Sequence, residues 1–247
     1  MAAFANFPFE IVETTGENAL ETWEGLKRAG RGAPVVLGGS DLDNLLFPFD
    51  PRDKMQHRPV EEILAAADAI SFPDDLRRLR WNERAEAAVY FKRIASVADF
   101  KDDDDEFEPP LGEWPTETSH GLGLSAACDT LTGEPRPLVH IALIPTDDPT
   151  AIPAYMRFGN WNECPSAAYH VAALRAWRDR YGAELVGLGS DTIDLRVSRR
   201  PGTRDEALEL ARAQFVYCAD IVHQGVGSYR ALAAQLMASD WWFFWWD

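Results

Sequence analysis

The chain has 247 residues, of which 46% are hydrophobic and 26% charged, and this apolar fraction is high enough to form a folded core. Its 24 Lys and Arg residues against 40 Asp and Glu residues give a formal net charge of −16, which repels phosphate backbones and anionic lipid surfaces. No apolar run reaches the roughly 18 residues that a membrane span needs. The composition therefore excludes wholesale disorder, and it argues against an integral membrane protein, membrane-surface binding and nucleic-acid binding.

Three cysteines, Cys128, Cys164 and Cys218, are far apart and odd in number, so neither a disulfide framework nor a local zinc site is expected. The N-terminal residues lack both the basic segment and the long apolar segment of a signal peptide. We therefore predict a cytoplasmic protein without a metal or a cofactor. The sequence does not indicate an oligomeric state.

Residues 1–100 predict alternating short elements. A helix is expected over residues 18–28, and the apolar run Pro34–Gly38, bounded by proline and glycine, predicts a buried strand. Stretches rich in alanine and arginine predict helices over residues 60–69 and 74–95. We interpret this region as an N-terminal α/β segment that either extends the C-terminal sheet or forms a small lobe.

The composition changes sharply over residues 101–118. The five adjacent carboxylates Asp102–Glu106 repel one another, and the prolines that follow interrupt both helices and strands. A consecutive acidic run also lacks the alternating ligand spacing of a calcium loop. This region is predicted to be an acidic, proline-rich linker.

A C-terminal α+β domain is predicted over residues 119–247, and residues 138–144 are its first strong strand. Pro165 is expected at the first position of a helix that continues to Tyr181, which makes Cys164 the N-cap of that helix.

Residues 184–188 and 192–197 predict a hairpin with one buried and one wet face. The wet face is expected to carry Thr192, Asp194 and Arg196.

A capping box at Thr203 and Glu206 opens a helix that is expected to continue to Gly225. A further helix, capped by Ser228, and the aromatic run Trp241–Trp246 complete the chain. The predicted fold class is α+β, with a mainly antiparallel sheet, packed helices and a C-terminal α-β-β-α-α-β unit.

The aromatic run Trp241–Trp246 is expected to form a strand that is covered on both faces. Each buried ring removes about 150–250 Å² from water, so an exposed run of this length would make the protein poorly soluble. The alternative is an interface with a partner, since Trp dominates binding hot spots.

Several separated motifs occur in order along the C-terminal half. They are Pro-Thr-Asp-Asp-Pro at residues 145–149, Gly-Asn-Trp-Asn-Glu-Cys-Pro at 159–165, Trp177 with Tyr-Gly-Ala-Glu at 181–184, the polar residues Gln214, Tyr217, Asp220 and Gln224, and Trp-Trp-Asp at 245–247. Over roughly residues 138–247 this pattern resembles a bacterial family known as domain of unknown function 4253. The resemblance implies a shared fold and surface but no activity, and residues 1–100 look like the more variable region that commonly precedes this domain.

Cys164 is the first candidate catalytic residue, because a thiol at a helix N-terminus has a lowered pKa and forms the nucleophilic thiolate more readily. His170 lies six positions later, which in a helix is about 9 Å further along the axis and roughly 240° around it. The two residues are therefore not expected to form a local dyad, and a base would have to come from His120, His140 or His223. The structural alternative is a small, buried and unreactive residue.

Asp191 and Asp220 are the other candidate catalytic residues, as carboxylates that could act in a pocket near the start of that helix. Trp161, Asn162 and Glu163 precede the helix on a loop, where polar and aromatic residues often line a binding site. The alternative for these loop residues is simple loop closure.

Gln214, Tyr217 and Gln224 form, together with Asp220, a polar line at helical spacing. They are candidate binding residues, because amide and phenol groups are less typical of a solvated helix face than Lys and Glu. The alternative is a plain solvated face.

Two functional hypotheses follow. The first is a non-catalytic protein-binding module, similar to an inhibitor or immunity protein, whose acidity attracts a basic protein partner. The alternative is a cytoplasmic enzyme with a pocket around Cys164 that uses a thiolate or a carboxylate. The sequence contains no complete triad, metal set or phosphate loop, so the first hypothesis is preferred.

Overall fold

The computed structural model describes residues 4–39, 42–94, 108–118, 123–129 and 131–247, without the side chains of residues 87–94. Predictions that concern His120 or residues 101–107 of the expected linker lie outside this part of the chain. The division into an N-terminal segment, a linker and a C-terminal domain stays a prediction.

The described residues contain one six-stranded sheet. Its strands are β1 (Glu10–Thr14), β2 (Ala33–Gly38), β3 (Val139–Ile144), β4 (Glu184–Leu188), β5 (Thr192–Arg196) and β6 (Trp241–Trp245). Their order across the sheet is β1-β3-β2-β4-β5-β6, so β6 is an edge strand. Of the pairings among these strands, β2 with β4 is parallel and the others are antiparallel.

Helices lie on both sides of this sheet. They are α1 (Ala19–Ala29), α2 (Asp43–Leu46), α3 (Val60–Asp68), α4 (Asp74–Ile94), α5 (Ile152–Tyr155), α6 (Ala167–Tyr181), α7 (Arg204–Tyr217) and α8 (Tyr229–Ala238), with a π-helical turn at Ile221–Val226. The main core lies between the sheet and α5 to α8, and a second, smaller core lies under α1 on the opposite face. None of the helices in the described ranges is long and apolar enough to cross a membrane.

The predicted fold class is confirmed: the sheet is mostly antiparallel, and α6 to β6 form the expected α-β-β-α-α-β unit. The N-terminal segment extends the sheet, because β1 and β2 flank β3. The capping predictions hold at two helices, where Thr203 accepts a hydrogen bond from the Glu206 N–H and Ser228 accepts one from the Ala231 N–H.

Two helix boundaries differ from the prediction. Helix α6 begins at Ala167 with Ser166 as its N-cap, so Cys164 precedes the helix in the loop. Helix α7 ends at Tyr217 because Cys218 adopts an extended conformation, and a separate π-helical turn follows. Apolar residues of α7 and of this turn pack on the same core, which is why their spacing resembles one continuous helix.

Two predictions of burial are wrong in part. Asp194 was expected on the wet face of the hairpin, but it is 1% exposed because the short helical turn Ser125–Ala127 covers it. Strand β6 was expected to be covered on both faces. Trp242 and Phe244 are buried, whereas Trp241, Phe243 and Trp245 on the other face are half-buried.

Candidate functional site

Cys164, His170 and Tyr217 form a continuous line of polar contacts inside the main core. The Cys164 Sγ lies 3.4 Å from His170 Nε2, and His170 Nδ1 lies 2.6 Å from the Tyr217 hydroxyl. All three residues are buried. The prediction that Cys164 and His170 are too far apart is wrong, because it placed both residues on one helix.

The loop before α6 brings Cys164 back toward His170. The N–H of Asn160 donates to the carbonyls of Cys164 and Pro165, which folds the loop onto the first turn of α6. Gly159 has φ +100°, and a Cβ on it would lie 2.0 Å from the Pro165 carbonyl and 2.8 Å from His170 Nε2. Glycine is therefore required here for the close approach of the loop to His170.

Burial keeps every member of this line neutral. Desolvation raises the pKa of the Cys164 thiol, the opposite of the lowering that a helix N-terminus was expected to produce. Desolvation likewise lowers the pKa of His170 to about 3 and raises that of Tyr217 well above its usual value. At neutral pH the line consists of a thiol, an uncharged imidazole and a phenol, so it lacks a ready thiolate.

Aromatic rings enclose the imidazole of His170 on several sides. Its ring centroid lies 5.1 Å from that of Phe158 and 5.4 Å from that of Trp246. Tyr217 is in turn packed against Trp177 and Phe244. Cys164 is thus buried, as the structural alternative for it expected. The line of polar contacts to which it belongs joins α6 to α7.

The loop residues before α6 lie at the surface. Asn162 has φ +44° and donates from Nδ2 to the Asp247 carbonyl over 2.8 Å. Trp161 packs edge-on against Phe158, and the Glu163 carbonyl accepts a hydrogen bond from Arg80. These contacts close the loop against neighbouring elements.

Asp220 joins the polar candidates at the surface. Its carboxylate accepts hydrogen bonds from Gln224 Nε2 and from the Asp247 N–H, both over 3.2 Å. Through Asp247 it is connected to Asn162. The structure thus groups the surface candidates around the end of β6, separately from the buried Cys164.

Gln214 and Tyr217 were expected with Asp220 and Gln224 on one polar line, but both are buried. The Nε2 atom of Gln214 has no hydrogen-bond partner among the described residues. The spacing predicted one polar line because it assumed one continuous helix. Helix α7 ends at Tyr217, so Asp220 and Gln224 lie beyond it and at the surface.

An open cleft of about 820 Å³ lies beside β6. One wall comes from the π-helical turn and α8, with Ile221, Val226, Leu232 and Leu236. The other wall is more polar. Its lining residues include Ser125, Asp129, Arg136, Asp191 and Thr192, together with the half-buried rings of Trp241, Phe243 and Trp245. Asp191 and Gln214 are the predicted site residues that line this cleft; Trp161, Cys164 and Tyr217 do not line it.

Asp194, which was expected to face solvent, supports the polar wall of the cleft from below. Its carboxylate accepts hydrogen bonds from Ser125 Oγ over 2.7 Å and from the Ala126 N–H over 3.0 Å. Burial raises its pKa to about 6 despite these two hydrogen bonds. A single acidic residue in an alternating strand gives no sign of this role, because the covering turn lies far away in the sequence.

None of the described residues form a group of three His, Cys, Asp or Glu side chains that could hold a metal ion. Of the other histidines considered as bases, His140 is buried against the Gly39 carbonyl, and His223 is exposed.

Residues 140–247 match the model of a family described as Domain of unknown function (DUF4253). The resemblance inferred from the motifs of the C-terminal half is therefore confirmed over these residues. Neither a search of curated proteins nor a search of solved structures returned a match.

Proposed function

We propose that this protein is a non-catalytic protein-binding module of the inhibitor or immunity type, that its partner is a basic protein, and that it acts in the cytoplasm. The observation that carries the proposal is the cleft beside β6, which exposes part of three large aromatic rings. Partly exposed Trp and Phe side chains in a concave surface are typical of binding hot spots.

Charge supports a basic partner. The chain has a net charge of −16, and a strongly acidic protein attracts cationic partners and accelerates their association. Within the cleft, hydrogen bonds from the N–H groups of Thr132 and Leu131 lower the pKa of Asp129, so this carboxylate is ionised at neutral pH. The cleft lining therefore combines apolar contact area with two carboxylates, Asp129 and Asp191, against one cation, Arg136.

The test measures association with the purified full chain. The immobilised protein should retain a basic protein at low ionic strength and release it as salt is raised. With both purified components, Phe243→Ser should weaken binding at least tenfold. Trp81→Ser is the matched control, because Trp81 is 71% exposed on α4 and does not line the cleft.

Two results would contradict the proposal. One is a Trp81→Ser variant that weakens binding as much as Phe243→Ser does. The other is a partner that binds equally well at low and high salt, since that behaviour would remove the electrostatic part of the proposal.

The alternative function is an enzyme that uses Cys164, and the 3.4 Å contact with His170 is the observation in its favour. A native-state thiol titration distinguishes the two functions. We expect Cys128, which is partly exposed, to react first, and the buried Cys164 to react at least a hundredfold more slowly than a free cysteine. In a Cys128→Ser variant, rapid modification of Cys164 at neutral pH would support the enzyme instead.

A further inference from the structure

We propose that the cleft binds an extended segment of its partner by strand addition to β6, and that this segment alternates basic and apolar residues. This inference rests on the proposed function, because it names the part of a basic partner that the cleft recognises. It is drawn from three features of the cleft: free backbone groups at the strand edge, walls of different chemistry, and charge.

Strand β6 has backbone groups that point away from the sheet. The Val197 N–H donates to the Asp240 carbonyl, and the Trp246 N–H donates to the Asp191 carbonyl. In an antiparallel ladder, residue pairs that exchange backbone hydrogen bonds alternate with pairs that do not. The two bonds above therefore place Trp242 and Phe244 in hydrogen-bonded pairs with β5. The N–H and C=O groups of the residues between them point to the open edge.

At the two ends of this edge, side chains of the same chain already bond to the outward-pointing backbone groups, whereas the groups in its middle are free. Ser239 Oγ interacts with both backbone groups of Trp241, and the Cys218 thiol donates to the Trp245 carbonyl. Within the described part of the chain, the N–H and C=O of Phe243 and the N–H of Trp245 have no partner. An added strand can therefore form up to three main-chain hydrogen bonds centred on Phe243.

A strand added here would project alternate side chains toward two different walls. On one side lie the apolar Ile221, Leu232 and Leu236 of the π-helical turn and α8. On the other side lie the half-buried rings of the β6 face that carries Phe243, with two carboxylates, Asp129 and Asp191, and one cation, Arg136, in the lining. Apolar side chains fit the first wall, and Lys or Arg side chains fit the second, because aromatic faces and carboxylates both attract cations.

Charge also selects the occupant. A second copy of this chain would bring another net charge of −16 to the same edge, and like charges across an interface are unfavourable. Acidic residues flank both ends of β6, with Asp240 before the strand and Asp247 after it. A basic strand is therefore preferred over pairing of two β6 edges.

The experiment uses the full chain and a synthetic peptide, acetyl-Lys-Val-Lys-Val-Lys-Val-amide, as the probe. Amide hydrogen exchange is measured by NMR with and without saturating peptide. We expect exchange at Phe243 and Trp245 to slow at least tenfold. Phe244 is the internal control, because its N–H already bonds to β5 and its exchange should not change.

Matched peptides and variants sharpen the result. A peptide with Glu in place of each Lys, and a peptide N-methylated at alternate residues, should each bind at least tenfold more weakly. Phe243→Pro removes an N–H that does not bond to β5, so it should reduce affinity further than Phe243→Ala, which removes only the ring.

Each contrary outcome would overturn a different part of the proposal. Unchanged exchange at Phe243 and Trp245 with the peptide bound would overturn strand addition, and equal binding of the Glu peptide would overturn the basic occupant. Protection of Phe243 that rises with protein concentration, without peptide, would show that a second copy occupies the edge. If a basic partner binds but leaves the Phe243 amide unprotected, the proposed function stands and this inference fails.

Discussion

Strand β6 contacts two regions with opposite properties. On its buried face, Phe244 packs against Tyr217, whose line of contacts with His170 and Cys164 is enclosed and uncharged. On its other face and along its edge, the half-buried rings border an open cleft whose lining includes the ionised carboxylate of Asp129. Chemically reactive residue types occur in the first region, but accessible contact area occurs in the second. Residue type alone therefore does not locate the surface that is available to a partner.

The largest effect should come from comparing neighbouring phenylalanines on the two faces. Phe244 is 0% exposed and stacks on Trp177, with ring centroids 5.4 Å apart. We expect Phe244→Ala to lower the free energy of unfolding by about 3–5 kcal/mol, because it leaves a cavity in the core. Phe243→Ala should cost less than about 1.5 kcal/mol, since Phe243 already contacts solvent. Urea unfolding of both variants measures the difference.

Equal losses in the two variants would contradict the comparison. They would show that the face carrying Phe243 is buried as thoroughly as the face carrying Phe244, and the cleft would no longer be a candidate binding surface.

The fold was largely predictable from local signals. Alternating or continuous apolar runs indicated β2 to β6, and capping residues such as Thr203 and Ser228 marked helix starts correctly. These signals depend on neighbours in the sequence, so a single chain contains them. The position of Asp194 depends instead on the distant turn at Ser125, which no local pattern indicates.

The candidate site was predicted less well for the same reason. The distance between Cys164 and His170 was derived from an ideal helix, but the chain enters α6 through a folded loop instead. The aromatic run was correctly expected to be a strand. One face of β6 is only half-buried because β6 lies at the edge of the sheet. The order of strands in a sheet cannot be inferred from the pattern of apolar residues along each strand.

The pH dependence of stability should separate the two regions. The pKa of His170 falls from 6.5 to about 3 on folding, so the unfolded chain binds the extra proton. Its contribution to stability is complete above pH 6.5 and is lost as the pH falls toward 3. Within this window the slope is about 1.4 kcal/mol per pH unit.

Asp194 has the opposite effect on the pH dependence of stability. Its pKa rises from 3.8 to about 6 on folding, so the folded chain binds the extra proton. Its contribution is complete below pH 3.8 and is lost as the pH rises to 6. Between these two values the slopes from Asp194 and His170 oppose each other.

Two variants reveal the opposing slopes by difference. Relative to the native chain, Asp194→Asn should gain stability as the pH rises from 3.8 to 6. The double variant His170→Leu with Tyr217→Phe removes the imidazole together with the hydroxyl bonded to it. Relative to the native chain, it should lose stability as the pH rises from 3 to 6.5. Chemical unfolding at several pH values measures both differences. Parallel pH profiles for the native chain and both variants would show that neither group titrates abnormally.

The smallest effect is expected at Gln214, which lines the cleft but is 1% exposed. Its Nε2 atom has no partner among the described residues, and an unpaired buried donor is unfavourable. Gln214→Leu should therefore change the free energy of unfolding by less than about 1 kcal/mol, or increase it, because an apolar side chain of similar size removes that donor. Gln224→Leu is the exposed control, since the Gln224 side chain lies at the surface and donates to Asp220 there. A loss above about 2 kcal/mol for Gln214→Leu alone would show that its amide is a structural hydrogen-bonding group. Gln214 would then belong with the buried line around His170 and not with the cleft.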